Sequence, residues 1–308
     1  MSARRAEGGS ARIPSPLFSI ITASFNQAKF LEATLESIRE QGRSDVEHLV
    51  LDGGSTDGSV EILREHEASL AYWVSAPDGG QSAAWNEGLR RSRGAILGFI
   101  NSDDLLLPGG LDEIARLADA NPHAEWLVGG TQYFGEGSGN LSYPGLAPRH
   151  ASDVLYFETY TPQPGQFVRR SLVERVGEFD ESLQFAFDLE YFVRCALSGA
   201  RAAATSQVVA AFRFHGESKT MASRDGQLTE TRMVEERWWP EVVRREGWRA
   251  RHGRQRFHGR LALGEARRAG RGIAAWRLLG QVAFEYPTMI PTRAFIGTVQ
   301  RLLGLRAD

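Results

Sequence analysis

Four short apolar runs, each closed by a cluster of small polar residues, constrain this chain more than any other feature. Leu17 to Ala23 ends at Ser24-Phe25-Asn26, and His48 to Leu51 ends at Asp52-Gly53-Gly54. Tyr72 to Ser75 ends at Pro77-Asp78-Gly79-Gly80, and Ala95 to Ile100 ends at Asn101-Ser102-Asp103-Asp104. Between these runs lie stretches of helical period. Residues 28–41 place Phe30, Leu31, Leu35 and Ile38 on one face, and Gly42 stops them. Ser55-Thr56-Asp57 caps a helix over 58–66, and residues 82–91 make another. Such alternation requires right-handed crossovers and a mostly parallel sheet. The runs are mostly apolar and do not alternate, as strands are when helices cover both faces. The predicted fold class is therefore α/β. Ligands of such sheets bind beyond the carboxyl ends of the strands. Here all four ends are polar, and two carry paired glycines that let a ligand approach the backbone.

Beyond a helix opened by Pro108, the pattern changes at Glu125. Residues 126–128, 132–134 and 163–168 read as short strands, and 171–176 as a helix. A helix over 187–198 has Leu189, Phe192, Val193 and Ala196 on its apolar side, and 208–214 reads as a closing strand. From about 230 the chain is helical, interrupted at Gly253, Gly270 and Pro287. The expected organisation is a flexible polar lead (1–16), a main domain (17–229, with halves 17–120 and 121–229) and a C-terminal extension (230–308).

Charge separates these parts. The chain carries a formal net charge of −2, which does not suggest a nucleic-acid binder. From Arg237 onward, however, fifteen arginines stand against five acids. This basic end is either a solvated helical appendage or a surface for an anionic membrane. The single cysteine, Cys195, excludes an internal disulfide and any cysteine-based zinc site. No apolar run approaches the roughly 18–20 residues of a membrane-spanning helix. The lead MSARRAEGGSARIPSP lacks the apolar stretch of a secretion signal. A cytoplasmic setting is expected, with peripheral contact at the inner face of the membrane as an option.

The chemistry concentrates at GFINSDDLLL, residues 98–107. Two adjacent carboxylates end a buried strand, where each raises the cost of ionising the other. A helix N-cap accounts for one of them. A divalent cation such as Mg²⁺ or Mn²⁺ accounts for both, since these hard ions bind one or two carboxylates together with substrate phosphates.

With these residues assembled, the chain resembles the family 2 glycosyltransferases, of the WcaA-like bacterial type, over about residues 17–220. The resemblance runs in order through FSIITASFNQAKFLEATLESI, HLVLDGGSTDGSVEIL, DGGQSAAWNEGLRRSRGAILGFINSDD and FAFDLEYFVRCA. It implies a GT-A fold, an inverting reaction, a nucleotide-sugar donor (UDP by family default) and a divalent metal, Mn²⁺ or Mg²⁺. It implies a sugar or lipid-linked acceptor and a place in bacterial polysaccharide or glycoconjugate synthesis. Thr22, Ser24 and Asn26 match the turn that contacts the nucleotide, Asp52 the residue that recognises the base, and Gln81 a nucleotide contact. Asn101-Ser102-Asp103-Asp104 matches the metal motif with Asn in place of its first Asp. Asp104 is expected on the metal, and Asp103 on metal or ribose.

Asp188 matches the catalytic base, although it also suits a helix N-cap. Glu190 and Arg194, four apart, make a helix ion pair the simpler reading. His215 is expected to assist metal or diphosphate, and Lys219 to reach a phosphate. Trp85, Trp126 and Tyr160 are either core residues or sugar platforms.

Other classes fit less well. A dinucleotide oxidoreductase requires G-x-G-x-x-G where TASFNQ stands. A sugar nucleotidyltransferase wants a basic Gly-rich loop after the first strand. A non-catalytic binding module would not need Asp188. The nearest approach to the Gln-x-x-Arg-Trp motif of processive synthases is Val234-Glu235-Glu236-Arg237-Trp238, so transfer of a single sugar is expected.

Overall fold

The computed structural model describes residues 6–9, 13–159, 162–216, 218–219, 223–269, 272–290 and 292–303. They form two compact units: 1–149 with 159–235, and 150–158 with 236–308.

The strands are β1 (Ala6–Gly8), β2 (Phe18–Ser24), β3 (Val46–Asp52), β4 (Tyr72–Ser75), β5 (Ile96–Phe99), β6 (Leu105–Leu106), β7 (Trp126–Gly135), β8 (Ser142–Tyr143), β9 (Gln166–Arg169) and β10 (Ala202–Phe214). The helices are α1 (Ala28–Arg39), α2 (Ser59–Glu65), α3 (Gln81–Arg91), α4 (Gly110–Ala120), α5 (Ala151–Leu155), α6 (Arg170–Val176), α7 (Phe187–Leu197), α8 (Arg224–Glu246), α9 (Trp248–Arg268), α10 (Ile273–Glu285) and α11 (Arg293–Leu302).

In the first unit the strands form one mixed sheet in the order β1-β4-β3-β2-β5-β9-β7-β10-β6, with β8 paired to β7. The neighbours β4, β3, β2 and β5 are parallel. In register, Ser24 lies beside Asp52 and Asp52 beside Ser75, which aligns three of the polar strand ends. Phe18, Ile20, Ile96, Leu111, Ile114, Phe167 and Val209 belong to one buried cluster. Leu31, Leu35, Val50, Leu63, Leu70 and Trp73 form another. Helix α3 lies close on the sheet because Gly88 has no side chain; a Cβ there would stand 2.4 Å from Ile21 Cγ2.

Several elements differ from the sequence reading. Helix α9 runs through Gly253 without the expected interruption, and the strand expected over 163–168 is β9, which begins only at Gln166. Trp126–Gly135 is one strand rather than two. Gly129 and Gly130 permit close approach instead of breaking it, since a Cβ on Gly129 would meet Val209 Cγ2 at 2.3 Å. The closing strand β10 begins at Ala202, through parallel pairing with β7 that starts at Ala202 and Trp126. Ala6 to Gly8, within the polar lead, pair antiparallel with Trp73 to Ser75.

The second unit is helical, with Leu263, Ala275, Leu279, Val282, Met289 and Leu302 as its core. The first N–H groups of α5, those of Ala151 and Ser152, donate to the Glu246 carboxylate at 2.8 and 3.3 Å. Arg260 donates to the Tyr156 carbonyl at 2.6 Å. Phe257 is buried, whereas Ile273, Trp276 and Phe284 of α10 are exposed. Among the described residues, no helix is long and apolar enough to cross a membrane.

Candidate functional site

The polar strand ends open into a cleft of about 720 Å³. One side comes from the β2 and β3 ends: Ser24, Phe25 and Gly53. The loop into α3 adds Asp78 and Gln81, and the segment after β5 adds Asn101, Ser102 and Asp103. The opposite side brings Gln184, Phe185, Phe187, Asp188, Phe212, Ser218, Lys219 and Gln227 from more than eighty residues further along the chain.

Asp188 is the second residue of α7 and lines this cleft. Its Oδ1 accepts the Leu189 N–H at 2.7 Å. Burial pushes its carboxyl up to about 6, against the lowering effect of backbone hydrogen bonds and the Lys219 charge. A carboxylate that titrates near 6 is ionised at neutral pH and still basic enough to take a proton. Lys219 lies over the rings of Phe185 and Phe187, 5.4 and 5.9 Å from their centroids. Burial lowers its pKa, opposed by the charges of Glu230 and Asp188.

The two adjacent acids have different surroundings. Asp103 lines the cleft, and its Oδ2 stands 3.0 Å from His215 Nε2. Asp104 is 1% exposed and turned inward. Its Oδ1 accepts the Arg213 N–H at 3.0 Å, and its Oδ2 accepts from Asn101 Nδ2 at 3.1 Å. Burial, and then the neighbouring Asp103 charge, raise the Asp104 pKa well above the usual carboxylate range. Gln81 Nε2 donates to Asn101 Oδ1 at 2.6 Å, so Gln81, Asn101 and Asp104 form a chain of hydrogen bonds leading inward from the cleft. Asn at position 101 supplies a donor to Asp104 that Asp could not.

Among the described residues, no three His, Cys, Asp or Glu side chains converge as a metal cage. The Asp103–His215 pair nevertheless suits Mg²⁺ or Mn²⁺, which complete their coordination with phosphate oxygens and water. His215 Nδ1 is buried without a hydrogen-bond partner among the described residues. Asp104 is placed as the support behind this pair.

The other sequence candidates divide. Ser24 lies in the cleft, with a buried hydroxyl that lacks a partner among the described residues. Thr22, two residues deeper in β2, bonds His48 Nε2 at 3.0 Å within the sheet and does not line the cleft. Burial lowers the His48 pKa to about 3, so the ring is neutral. Asn26, at φ 51°, accepts the Thr56 N–H at 3.0 Å and shapes the turn outside the cleft. Asp52 also lies outside it, bonded to Gly54, Ser55 and Ser75.

Glu190 and Arg194 form the expected ion pair at 2.9 Å, with Arg194 also donating to the carbonyls of Val176 and Glu178. Trp126 is core, stacked on Phe192 at 5.0 Å. Trp85, 1% exposed, lies under the cleft with its ring against Phe99, Phe179 and Phe187. Tyr160 falls outside the described residues.

Sequence reasoning assigned no role to Asp78, Phe25, Gln184 or Glu230. Asp78 had a signal, since it follows β4 as Asp52 ends β3. Glu230 had none. It lies on α8, yet its carboxylate accepts the N–H groups of Gln184, Phe185 and Ala186 at 2.6–3.0 Å. It thereby holds the entry to α7, one turn from Asp188.

The model of the glycosyl transferase family 2 matches residues 19–177, just over half of the chain. The chain belongs to glycosyltransferase family 2. An uncharacterized glycosyltransferase of Mycobacterium tuberculosis is 34% identical over 189 residues, covering 59% of this chain and 70% of the relative. A PGL/p-HBAD biosynthesis glycosyltransferase of Mycobacterium bovis is 27% identical over 253 residues, covering 75% and 94%. The S. aureus TarS fragment 1–349 in complex with UDP-GlcNAc superposes with a TM-score of 0.57 at 20% identity, over 70% of this chain and 65% of TarS 1–349. The mannosyltransferase PcManGT from Pyrobaculum calidifontis, in complex with GDP-Man and Mn²⁺, also gives 0.57 at 20% identity, over 95% and 88%. These likenesses establish the GT-A-like fold expected from the sequence.

Proposed function

We propose that this family 2 glycosyltransferase moves one sugar from a nucleoside diphosphate sugar to an acceptor hydroxyl, with inversion at the anomeric carbon. The observation that supports this reading is that one cleft is lined both by Asp188 and by Ser24, Gln81 and Asp103; we assign the former to the acceptor and the latter to the nucleotide. The Asp188 carboxylate takes the acceptor proton as the hydroxyl oxygen forms its bond to the anomeric carbon. The bond from that carbon to the diphosphate oxygen breaks, and its electron pair leaves on the nucleoside diphosphate. Lys219 supplies positive charge to the same cleft. Asp103 and His215 would hold Mn²⁺ or Mg²⁺, which when bound offsets the charge on the departing diphosphate. The complexes of TarS and PcManGT support a nucleotide-sugar donor, and the PcManGT complex supports a metal. UDP is the first donor nucleotide to test.

The acceptor proposed is a sugar or lipid-linked glycan of bacterial polysaccharide or glycoconjugate synthesis. Exposed Ile273, Trp276 and Phe284 on α10, within the arginine-rich end, favour peripheral contact with an anionic bilayer on its cytoplasmic side. Sedimentation with phosphatidylglycerol vesicles tests this: a Trp276→Ser, Phe284→Ser variant that sediments as well as the parent refutes it.

For the central reading, the protein is mixed with Mn²⁺ and a panel of nucleotide sugars, and thermal shift and nucleotide release are followed. Stabilisation by a nucleoside diphosphate sugar, reduced in Asp103→Ala, is expected. No stabilisation by any of them, with or without metal, overturns the proposal.

A further inference from the structure

We infer that the base of the donor nucleotide is read by Asp78, in a slot walled by Phe25 and floored by Gly53, and not by Asp52. This rests on the cleft being the nucleotide-sugar site and extends that reading to the class of base.

Asp52 has no capacity to spare. Its Oδ2 accepts from Gly54 N–H at 3.2 Å, Ser55 N–H at 2.9 Å and Ser75 Oγ at 2.6 Å, and its Oδ1 accepts from Ser55 Oγ at 2.5 Å. The residue is 2% exposed. A base could bond it only by dismantling the turn that it holds.

Asp78 has the capacity that Asp52 lacks. It lines the cleft, and its Oδ1 accepts the Gly80 N–H at 2.8 Å. Among the described residues, no donor is bonded to its Oδ2 and no cationic nitrogen lies within 4.0 Å of the carboxylate. Burial raises its pKa, and the Asp52 charge adds to this. Asp78 is exposed at the mouth of the cleft, so its Oδ2 is open to a ligand N–H, and a hydrogen bond to a charged acceptor is among the stronger ones.

Gly53 locates the slot. A Cβ built there would stand 3.2 Å from Phe25 Cδ2 and 3.3 Å from Asp78 Oδ1, so the ring edge and the carboxylate border the same space. The absence of a side chain at 53 keeps that space open. Phe25 is 61% exposed although it lines the cleft, which leaves its ring available for stacking.

An ionised carboxylate only accepts hydrogen bonds. Uracil presents N3–H, and guanine presents N1–H with its amino group, so both donate. Cytosine and adenine present a bare ring nitrogen beside the amino group, which opposes the carboxylate. The slot therefore selects bases with a ring N–H donor.

Calorimetry on the full chain with Mn²⁺ and UDP, GDP, CDP or ADP tests this. The parent is expected to bind UDP or GDP at least about tenfold tighter than CDP and ADP, the scale of one hydrogen bond to a charged group. Asp78→Asn should narrow that ratio to within about threefold, because its amide can turn to donate as well as accept. The exposed Phe25→Ala change should weaken all four nucleotides alike, since stacking tolerates any base. An Asp78→Asn variant that keeps the parent ranking and affinity overturns the inference while the nucleotide-sugar reading stands. A parent that binds no nucleotide overturns that reading and the inference with it.

Discussion

Replacing Asp188 by Asn should abolish sugar transfer and stabilise the protein at neutral pH. Burial moves the carboxyl from the ordinary 3.8 up to about 6 in the folded chain. At 1.36 kcal/mol per pKa unit this corresponds to roughly 3 kcal/mol. Solvent in the cleft reduces the expected effect to about 1–2 kcal/mol. The sign follows from proton linkage. Below pH ~4 the group is protonated both folded and unfolded, and it costs nothing. Between about pH 4 and 6 only the unfolded chain ionises, so stability falls as pH rises. Above pH ~6 the full penalty is present. Asn avoids that penalty with nearly the same shape. Urea denaturation at pH 4.5 and 7.5 measures this: the variant should gain on the parent at the higher pH and converge with it at the lower. Turnover should fall by about 10²–10⁴-fold, while nucleotide binding is spared. In the parent, kcat/KM should rise with pH to a plateau with a midpoint near 6. Near-normal turnover of Asp188→Asn would refute the assignment of the base. A variant less stable than the parent at pH 7.5 would refute the electrostatic reasoning.

Glu230→Gln should lower kcat more than it raises the nucleotide KM, because it loosens the N–H groups of Gln184 to Ala186 before α7; it should also cost about 1–2 kcal/mol in urea denaturation. Gly88→Ala should destabilise by about 1–3 kcal/mol in the same assay, since its methyl would stand 2.4 Å from Ile21 Cγ2. Asp103→Ala and His215→Ala should each lose most of the thermal stabilisation that Mn²⁺ adds in the presence of UDP, whereas Asp104→Asn should retain part of it. Glu190→Gln should cost about 2 kcal/mol with little change in nucleotide affinity, because it leaves the Arg194 guanidinium without its carboxylate.

Strands β2 to β5 were legible because their apolar runs are local and their ends carry polar and glycine-rich turns. Helix α1 was legible from its one-sided apolar pattern, whereas α7 is buried on most of its faces, including at Glu190 and Tyr191. Position 188 was singled out by the resemblance of FAFDLEYFVRCA to the family's segment; its local pattern alone suited a helix start equally well. Elements defined by pairing were harder. The glycines at 129 and 130 look like a break until Val209, eighty residues later, packs against the strand. The antiparallel strand β9 and the two-residue strand β6 have partners that no local pattern names.

Within the candidate site, the sequence and its family resemblance pointed to the carboxyl ends of the parallel strands and to Asp103, Asp104 and Asp188; the cleft is lined by Asp103 and Asp188. Tertiary structure decided how those residues divide the work. Asp103 faces the cleft and Asp104 faces inward, although they are adjacent and identical in type. Asp52 is consumed by its own turn, while Asp78 is left with an oxygen to offer. Glu230 meets the entry to α7 across more than forty residues. Residue type and local period report what a segment can form. Which oxygen remains unbonded depends on groups delivered from elsewhere in the chain, and only the assembled fold sets those distances.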